Sequence, residues 1–386
     1  MKRSGLFALA ALTTLTFSNP GSALRPPQET AKPSEDVPTP YLLLVTFNDL
    51  TGTNRLSALD ASPFDGIAVP VVNAYYSGSQ LPFEQIQANF ASFQLQTRKQ
   101  VWPWIFINRM VGTTDAPAKA GAADSDKINA VDLDDSFGGR TGFLDLWRKA
   151  LRQAKSAGVP GVVLDMELYS NRKAYSVSVV ARQRSLTPDE VKKQLQDVGN
   201  QMAQIASQEY PDAIVWTLLS GLSPTSHVLD YSEEDSTCGY ILLGMMDGVR
   251  ERHLKLTLID GGEDSLGYCH KSVAALDEGI SERLQRFTPL FREYGETLIL
   301  GGTIALWRDS ASRTDWLLHG WCGASDVKQP QDFVPYLKML FQSYRFVWIY
   351  AATAGQWDPL SPAGGGPLNR VLEEAKRSAP TAAMQK

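Results

Sequence analysis

The stretch Gly161-Val-Val-Leu-Asp-Met-Glu-Leu-Tyr169 begins as an apolar run and places two acids, Asp165 and Glu167, toward its end. An apolar run of this kind is typical of a strand that is buried on both faces, as in a parallel sheet. Because side chains alternate along a strand, Asp165 and Glu167 should share one face. Acids this close repel each other and lose solvation, which should raise the pKa of one toward the range of a general acid. The stretch predicts a buried strand that ends in an acidic site.

Short apolar segments alternate with helical segments on both sides of this stretch, from Tyr41 onward. This alternation is the pattern of repeated βα units around a parallel sheet. The predicted strands are 42–47, 66–72, 101–108, 161–168, 213–220, 254–260, 298–306 and 346–351. They predict an α/β fold, a (β/α)8 TIM barrel, with residues 41–386 as a single domain. An open doubly wound sheet has the same alternation, but residues 48–53 lack the Gly-x-Gly-x-x-Gly fingerprint of dinucleotide sites.

Several predicted helices have recognisable ends. Thr187-Pro188-Asp189-Glu190 combines a capping box with proline at the first helical position, and Gly158 should end a helix that starts near Phe143. Further helices are predicted at 83–97, 226–251, 272–294, 332–344 and 367–378. The segment 110–140 is longer than a plain connection, so we expect an extended loop after strand three that forms a lid or cleft wall.

The net charge bears on the kind of partner that the protein can bind, and the amino-terminal segment bears on its location. The net charge of -5 provides no basic surface for nucleic acid. Residues 1–23 have the charged start, apolar run and small-residue end of a secretory signal peptide. The Pro-rich residues 24–40 are typical of a flexible leader. No later segment has the apolar length of a membrane helix, so we expect a secreted or periplasmic monomer with no integral membrane segment after signal removal.

Common catalytic and cofactor motifs are absent from the sequence. It contains no Gly-x-Ser-x-Gly elbow, no His-Glu-x-x-His and no Walker lysine loop. Its four histidines are isolated, and its three cysteines have no Cys-x-x-Cys spacing. We therefore expect no cofactor and no metal; a metal-dependent hydrolase on the same fold would instead lose activity to chelators. Cys238 and Cys269 could form one disulfide bond.

Carboxylates and aromatic side chains follow the predicted strands at their carboxyl ends, where TIM barrels place their active sites. We expect the acids Glu167, Asp165 and Asp260 to be catalytic. The residues expected to bind substrate are Asn73, Tyr75, Trp104, Asn108, Tyr169, Glu263, Trp307 and Trp357. Carboxylates can act on an anomeric carbon, and aromatic faces pack on sugar rings. The combination indicates a carbohydrate substrate.

Each of these residues also has a purely structural interpretation. Asp165 and Glu167 could form ion pairs with Arg109 or Arg308 at the barrel mouth. Asp260 could cap the turn that follows it. Each tryptophan alone could equally be a core residue. If these interpretations hold, the functional alternative is a non-catalytic carbohydrate-binding or scaffold TIM barrel.

The opening stretch resembles the fourth-strand signature of family 18 glycoside hydrolases, the chitinase-type enzymes. That signature runs Asp-Gly-x-Asp-x-Asp-x-Glu, and Gly161, Asp165 and Glu167 match it. Pro160 and Val163 stand where the signature has acids. The resemblance implies that Glu167 donates the proton. It also implies that Asp165 orients an N-acetyl group of the substrate, which acts as the nucleophile.

The same stretch is similar to the fourth strand of retaining α-glycosidase barrels. That resemblance implies that Asp165 is the nucleophile and that Asp260, after the sixth strand, is the acid. Both resemblances belong to the (β/α)8-barrel glycoside hydrolases. They imply an exported enzyme that cleaves a glycosidic bond in a poly- or oligosaccharide by carboxylate acid/base chemistry.

Overall fold

A computed structural model describes most of the chain beyond the predicted leader. The described residues are 40–46, 55–71, 82–106, 143–166, 176–222, 235–268, 270, 272–306, 330–351, 358–360 and 365–378. The chain divides into the units Met1–Asp36 and Val37–Lys386, and every described residue belongs to the second. The predicted signal peptide and the long loop at 110–140 lie outside the described residues.

The described residues form a sheet of nine parallel strands. The strands are β1 Tyr41–Val45, β2 Gly66–Pro70, β3 Gln100–Phe106, β4 Gly161–Asp165, β5 Ile214–Thr217, β6 Thr257–Asp260, β7 Leu298–Leu300, β8 Gly302–Leu306 and β9 Phe346–Ala351. Their order is β7-β6-β5-β4-β3-β2-β1-β9-β8, so the two ends of the sheet are consecutive in sequence. Because β7 and β8 are joined by a single residue, the sheet closes into a ring. The predicted (β/α)8 barrel is confirmed.

The predicted seventh strand is divided between β7 and β8 at Gly301. The Gly301 N–H donates to the Asp260 carbonyl oxygen at 2.7 Å, whereas β8 pairs with β9 on its other side. A Cβ at Gly301 would lie 3.0 Å from Ile259 Cγ2 and 3.1 Å from the Phe346 carbonyl oxygen. The chain can change partners here because glycine leaves room for both neighbouring strands.

Helices connect the strands and form the outer layer. They are α1 Arg55–Asp60, α2 Phe83–Gln94, α3 Phe143–Ser156, α4 Val177–Arg184, α5 Pro188–Glu209, α6 Thr237–Glu251, α7 Val273–Tyr294, α8 Val334–Ser343 and α9 Gly365–Ser378, with short 3-10 helices at Gly295–Thr297 and Pro330–Phe333. Within the described part of the chain, no helix is both long and apolar enough to cross a membrane.

Capping side chains decide where two of these helices begin. The predicted capping box of α5 is present, because the Glu190 N–H donates to Thr187 Oγ1 at 3.3 Å and the Thr187 N–H donates to Glu190 Oε2 at 2.7 Å. The prediction of one unbroken helix over 226–251 is wrong. Ser236 is extended and its Oγ accepts from the Gly239 N–H at 3.0 Å, so α6 begins at Thr237.

Aromatic rings fill the interior at the amino-terminal end of the barrel. The Tyr41 and Trp216 ring centroids are 6.1 Å apart, and those of Trp102 and Trp216 are 5.8 Å apart. Phe346 completes the group, 5.5 Å from Trp216. The strands β1 and β5 lie far apart around the ring, so their side chains can meet only inside it. These contacts establish which face of each strand points inward.

Candidate functional site

Asp165 points into the barrel at the carboxyl end of β4. Its register partner on β3 is Phe106, which lies two and four residues from Trp104 and Trp102 and so shares their face. Trp102 points inward, because its ring packs on Trp216. Paired residues on adjacent strands project to the same side, so Asp165 also points inward. Its side chain is 1% exposed.

The alternation along the opening stretch predicts that Asp165 and Glu167 share a face, but it does not predict which face that is. A carboxyl group at the carboxyl end of a barrel strand, on the inner face, lies where TIM-barrel enzymes place catalytic side chains. Glu167 lies outside the described residues. The same holds for the predicted substrate-binding residues Asn73, Tyr75, Asn108, Tyr169, Trp307 and Trp357.

A cluster of aromatic rings occupies the inner face near the carboxyl end of β9. Tyr268, in the segment after β6, stacks on Tyr350 with centroids 6.2 Å apart and an interplanar angle of 24°. Its edge also packs on Trp348, at 5.5 Å. Tyr268 and Trp348 are buried, whereas Tyr350 is partly exposed. Tyr350 is thus the partly exposed member of this cluster, at the same end of the barrel as Asp165.

The predicted sugar platform Trp104 lies in the packed interior. Its side chain has no exposed surface, and its ring lies 4.6 Å from that of Phe106. A platform for a sugar ring needs an accessible aromatic face. The structural interpretation of Trp104 as a core residue therefore fits, and we do not retain it as a substrate contact.

Asp260 points away from the barrel interior, toward α7. Its register partner Thr217 follows the inward-pointing Trp216 and so lies on the opposite face. Arg283 Nη2 donates to the Asp260 carboxylate and, at 2.9 Å, to its backbone carbonyl oxygen. Neither side chain of this ion pair is exposed.

Two hydroxyl groups complete the surroundings of the Asp260 carboxylate. Ser220 Oγ donates to one oxygen, and Ser265 Oγ donates to the other at 2.8 Å. A carboxylate that is enclosed by a guanidinium and two hydroxyls on the outer face has no access to a sugar in the barrel. Asp260 therefore anchors α7 to the end of β6, and the expected role of proton donor is not retained.

Asp264 is a second buried acid in the segment after β6. Its carboxylate accepts from the Gly221 N–H at 2.6 Å and from the Ser220 N–H at 3.3 Å, so it holds the segment that follows β5. Burial and the charge of Asp260 raise its pKa to about 7, against these hydrogen bonds, which favour the ionised form. A carboxyl group near the carboxyl end of the barrel thus titrates close to neutral pH.

Glu263 and Cys238 are also buried in this region. The Glu263 side chain is 3% exposed, and its N–H donates to the Leu218 carbonyl oxygen at 3.2 Å. Cys238 is a free thiol in the first turn of α6, so the possible disulfide bond with Cys269 is not formed. Burial, together with the charges of Asp264 and Asp165, raises the pKa of the Cys238 thiol. Such a thiol is a weak nucleophile.

No group of three or more His, Cys, Asp or Glu side chains could hold a metal ion within the ranges that the structure describes. His270 is isolated and largely buried, and desolvation lowers its pKa to about 4. It is therefore neutral at physiological pH. For this histidine, a structural role fits.

No family model matches the chain. No curated protein sequence matches it.

Solved structures similar to the chain differ widely in their reactions. An endo-β-1,4-glucanase B from Bacillus halodurans is 9% identical with a TM-score of 0.47, over 88% of this chain and 60% of that protein. A sugar phosphate isomerase/epimerase from Parabacteroides distasonis is 10% identical with a TM-score of 0.40, over 90% and 99%. A chitinase of glycoside hydrolase family 18 from Flavobacterium johnsoniae is 9% identical with a TM-score of 0.37, over 88% and 94%. An activity has to be argued from the site itself.

Tyr350, Tyr268 and Asp264 are not among the predicted catalytic or substrate-binding residues. Tyr350 could have been found, because it lies two residues after Trp348 and so shares its face. Tyr268 and Asp264 lie in an irregular segment, where no periodicity tells which way a side chain points. Only the folded segment determines which way each side chain points.

Proposed function

We propose that the protein is a glycoside hydrolase that cleaves a glycosidic bond in a poly- or oligosaccharide. The observation that supports this proposal is the position of Asp165, a carboxyl group on the inner face at the carboxyl end of β4. In TIM-barrel enzymes, catalytic carboxyl groups lie at this end of the strands. The partly exposed Tyr350 supplies an aromatic surface for a sugar ring.

In the proposed reaction, Glu167 protonates the leaving-group oxygen and Asp165 assists at the anomeric centre. Glu167 follows Asp165 by two residues and therefore shares its face if the extended backbone continues. The resemblance to family 18 assigns Asp165 to the orientation of a substrate N-acetyl group. The resemblance to α-glycosidases assigns it to nucleophilic attack, with the acid then supplied by Glu167 because Asp260 is enclosed by Arg283.

The test is a screen of the purified protein against a panel of glucans, chitin oligosaccharides and α-linked oligosaccharides, with reducing-end release as the readout. Glu167→Gln removes the proton donor and should lower turnover about 10²- to 10⁴-fold, with oligosaccharide affinity nearly unchanged. Asp165→Asn should also lower turnover, and EDTA should have no effect. The matched control is Glu293→Gln, which alters an acid of an exposed ion pair with Arg250 and should keep full activity.

The panel also separates the two functional classes. If the native protein bound a glycan without cleaving it, the protein would be a non-catalytic carbohydrate-binding barrel and not an enzyme. Turnover that survives both Glu167→Gln and Asp165→Asn would overturn the assignment of these acids. If the protein neither bound nor cleaved any glycan of the panel, a carbohydrate function would be rejected.

We further propose that the chain is exported by its first 23 residues, whose sequence has the pattern of a signal peptide. Expression of the full chain in a bacterial host, followed by fractionation and mass spectrometry, tests this. A mature protein outside the cytoplasm that begins after residue 23 is the expected result. An intact amino terminus in the cytoplasm would contradict it.

A further inference from the structure

The hydrogen-bond ladder between β4 and β5 stops at Leu164. The Leu218 N–H donates to the Leu164 carbonyl oxygen at 3.1 Å. Backbone groups two residues apart on a strand face the same neighbouring strand. The next carbonyl of β4 toward β5 is therefore that of Met166, and the register would pair it with the Ser220 N–H. Asp165 lies between these two carbonyls.

Asp264 binds the N–H groups that would continue this ladder. Its carboxylate accepts from the Ser220 N–H at 3.3 Å and from the Gly221 N–H at 2.6 Å. Gly221 has a left-handed backbone with a φ of +66°, and a Cβ there would lie 3.0 Å from Cys238 Cβ. The chain after β5 thus turns away from β4, and the first turn of α6 packs closely against that turn.

The Cys238 thiol serves as the donor to the Met166 carbonyl oxygen in place of the ladder. Its Sγ lies 3.5 Å from that oxygen, and both residues are buried. Burial, together with the charges of Asp264 and Asp165, raises the pKa of the thiol, so it keeps its proton and can donate. A thiol is a weak donor, but a buried carbonyl with no partner is destabilising. The first turn of α6 therefore holds the backbone at the end of β4.

We propose that Cys238 is a positioning residue for Asp165: its thiol holds the carbonyl of the next residue and thereby fixes the end of β4 that carries this acid. The inference rests on the proposed function, in which Asp165 acts at the anomeric centre. Toward β5, Asp165 lies between the held carbonyls of Leu164 and Met166, and toward β3 it pairs with Phe106. A catalytic group must be held to within a fraction of an ångström, since a displacement of about 1 Å can lower a rate about 100-fold.

The kinetic experiment compares Cys238→Ala and Cys238→Ser with a control on the same helix, on a glycan that the native protein cleaves. Cys238→Ala removes the donor and should lower kcat about 10-fold while KM stays within about twofold, because the substrate still meets the same side chains. Cys238→Ser retains a hydroxyl donor and should recover most of this loss. The control Val249→Ala truncates a buried side chain at the far end of α6 and should leave kcat unchanged.

Three kinetic outcomes would overturn the inference. In the first, Cys238→Ala keeps the native kcat, so the thiol does not affect Asp165. In the second, Val249→Ala loses as much kcat as Cys238→Ala, so any truncation in α6 has this effect. In the third, Cys238→Ser is as slow as Cys238→Ala, so the donated hydrogen bond is not what matters.

The S–H stretching band of the thiol gives a readout that does not depend on turnover, and it also decides the question if Cys238→Ala does not fold. The infrared frequency of this band falls when a thiol donates a hydrogen bond, and the band of Cys238 is the one that disappears in Cys238→Ser. We expect a lowered frequency in the native protein, and the frequency of a thiol that donates no hydrogen bond would overturn the inference. If the frequency is lowered but the native protein cleaves no glycan, the proposed function is rejected and the hydrogen bond to Met166 is retained.

Discussion

Arg283 and Asp260 form an ion pair in which neither side chain has exposed surface. The guanidinium also donates to the Asp260 carbonyl oxygen at 2.9 Å and, through Nη1, to the Gly301 carbonyl oxygen at 2.5 Å. A side chain of α7 therefore holds the end of β6 and the break between β7 and β8 together. Because a buried charge is stable only when it is paired, each partner depends strongly on the other.

Arg283→Met should strongly destabilise the protein. The substitution leaves the Asp260 carboxylate buried without its cation, and breaking a buried ion pair from one side raises the free energy of the folded state by about 3–5 kcal/mol. Urea unfolding followed by tryptophan fluorescence measures the loss. Arg250→Met is the control: Arg250 and Glu293 are about half exposed, so water screens their ion pair and its loss should lower stability far less. Equal effects of the two substitutions would contradict the prediction.

The stability of the protein should depend on the ionisation of Asp264. Its pKa is raised from 3.8 to about 7, mainly by burial and then by the charge of Asp260. Arg286 and the Cys238 thiol also interact with it electrostatically. The folded state holds the Asp264 proton more tightly than the unfolded state. The contribution of Asp264 is therefore most favourable below about pH 4, declines up to about pH 7, and then levels off.

Asp264→Asn mimics the protonated acid and should remove this dependence. The stability of the variant relative to the native protein should rise between pH 4 and pH 7, by at most about 1.4 kcal/mol per pH unit. Urea unfolding at several pH values measures the difference. Asp60→Asn should show the opposite dependence of stability on pH. Desolvation raises the pKa of Asp60, but hydrogen bonds from Thr97 and Arg98 outweigh it and lower the pKa. The stabilising contribution of Asp60 is therefore lost as the pH falls. A pH-independent difference for Asp264→Asn would show that this carboxyl does not titrate in that range.

The sequence predicts the barrel well because its strands are strongly patterned, but it does not predict which face of β6 is inward. In β6 the adjacent residues Leu258 and Ile259 are both apolar, since parallel strands are covered on both faces. Alternation in hydrophobicity is then absent, and Asp260 could be assigned to either side. For β4, the ring contacts that fix the orientation of Asp165 come from strands distant in sequence. No local pattern contains that information.

The sequence also does not predict short elements or the residues at which helices begin. The helix α1 has only six residues, too few for a periodic apolar face to emerge. Both Ser226 and Ser236 are suitable caps for α6, and the sequence gives no reason to prefer the second. Ser236 caps α6 and lies beside Ser176, a residue that is distant from it in sequence.

Gly161 should not tolerate a side chain. A Cβ at this position would lie 1.8 Å from the Ile214 carbonyl oxygen, a backbone atom of the neighbouring strand β5. Gly161→Ala must therefore separate β4 from β5, and overpacking of this kind typically destabilises by about 1–3 kcal/mol or more. Gly366→Ala is the control, because its Cβ would meet only the flexible end of Arg370 at 3.4 Å. Thermal unfolding of the two variants checks the contrast, and equal melting temperatures would contradict it.

The hydroxyl of Tyr41 should stabilise the aromatic group at the amino-terminal end of the barrel. It accepts from Trp102 Nε1 at 2.7 Å and donates to Gln100 Oε1 at 2.7 Å, and burial raises its pKa, so it remains a protonated donor. Tyr41→Phe leaves the buried indole N–H without this acceptor, and an unsatisfied buried donor destabilises by about 1–3 kcal/mol.

Tyr210→Phe provides the comparison for this prediction. The Tyr210 hydroxyl donates one hydrogen bond, to the Val159 carbonyl oxygen at 3.2 Å, from a partly exposed position. Water can replace that donor, so the expected loss is smaller, about 0.5–1.5 kcal/mol. Urea unfolding of both variants gives the two free energies. If Tyr41→Phe is no more destabilising than Tyr210→Phe, the barrel interior is held by ring packing alone, and the hydrogen bonds of Tyr41 contribute nothing beyond it.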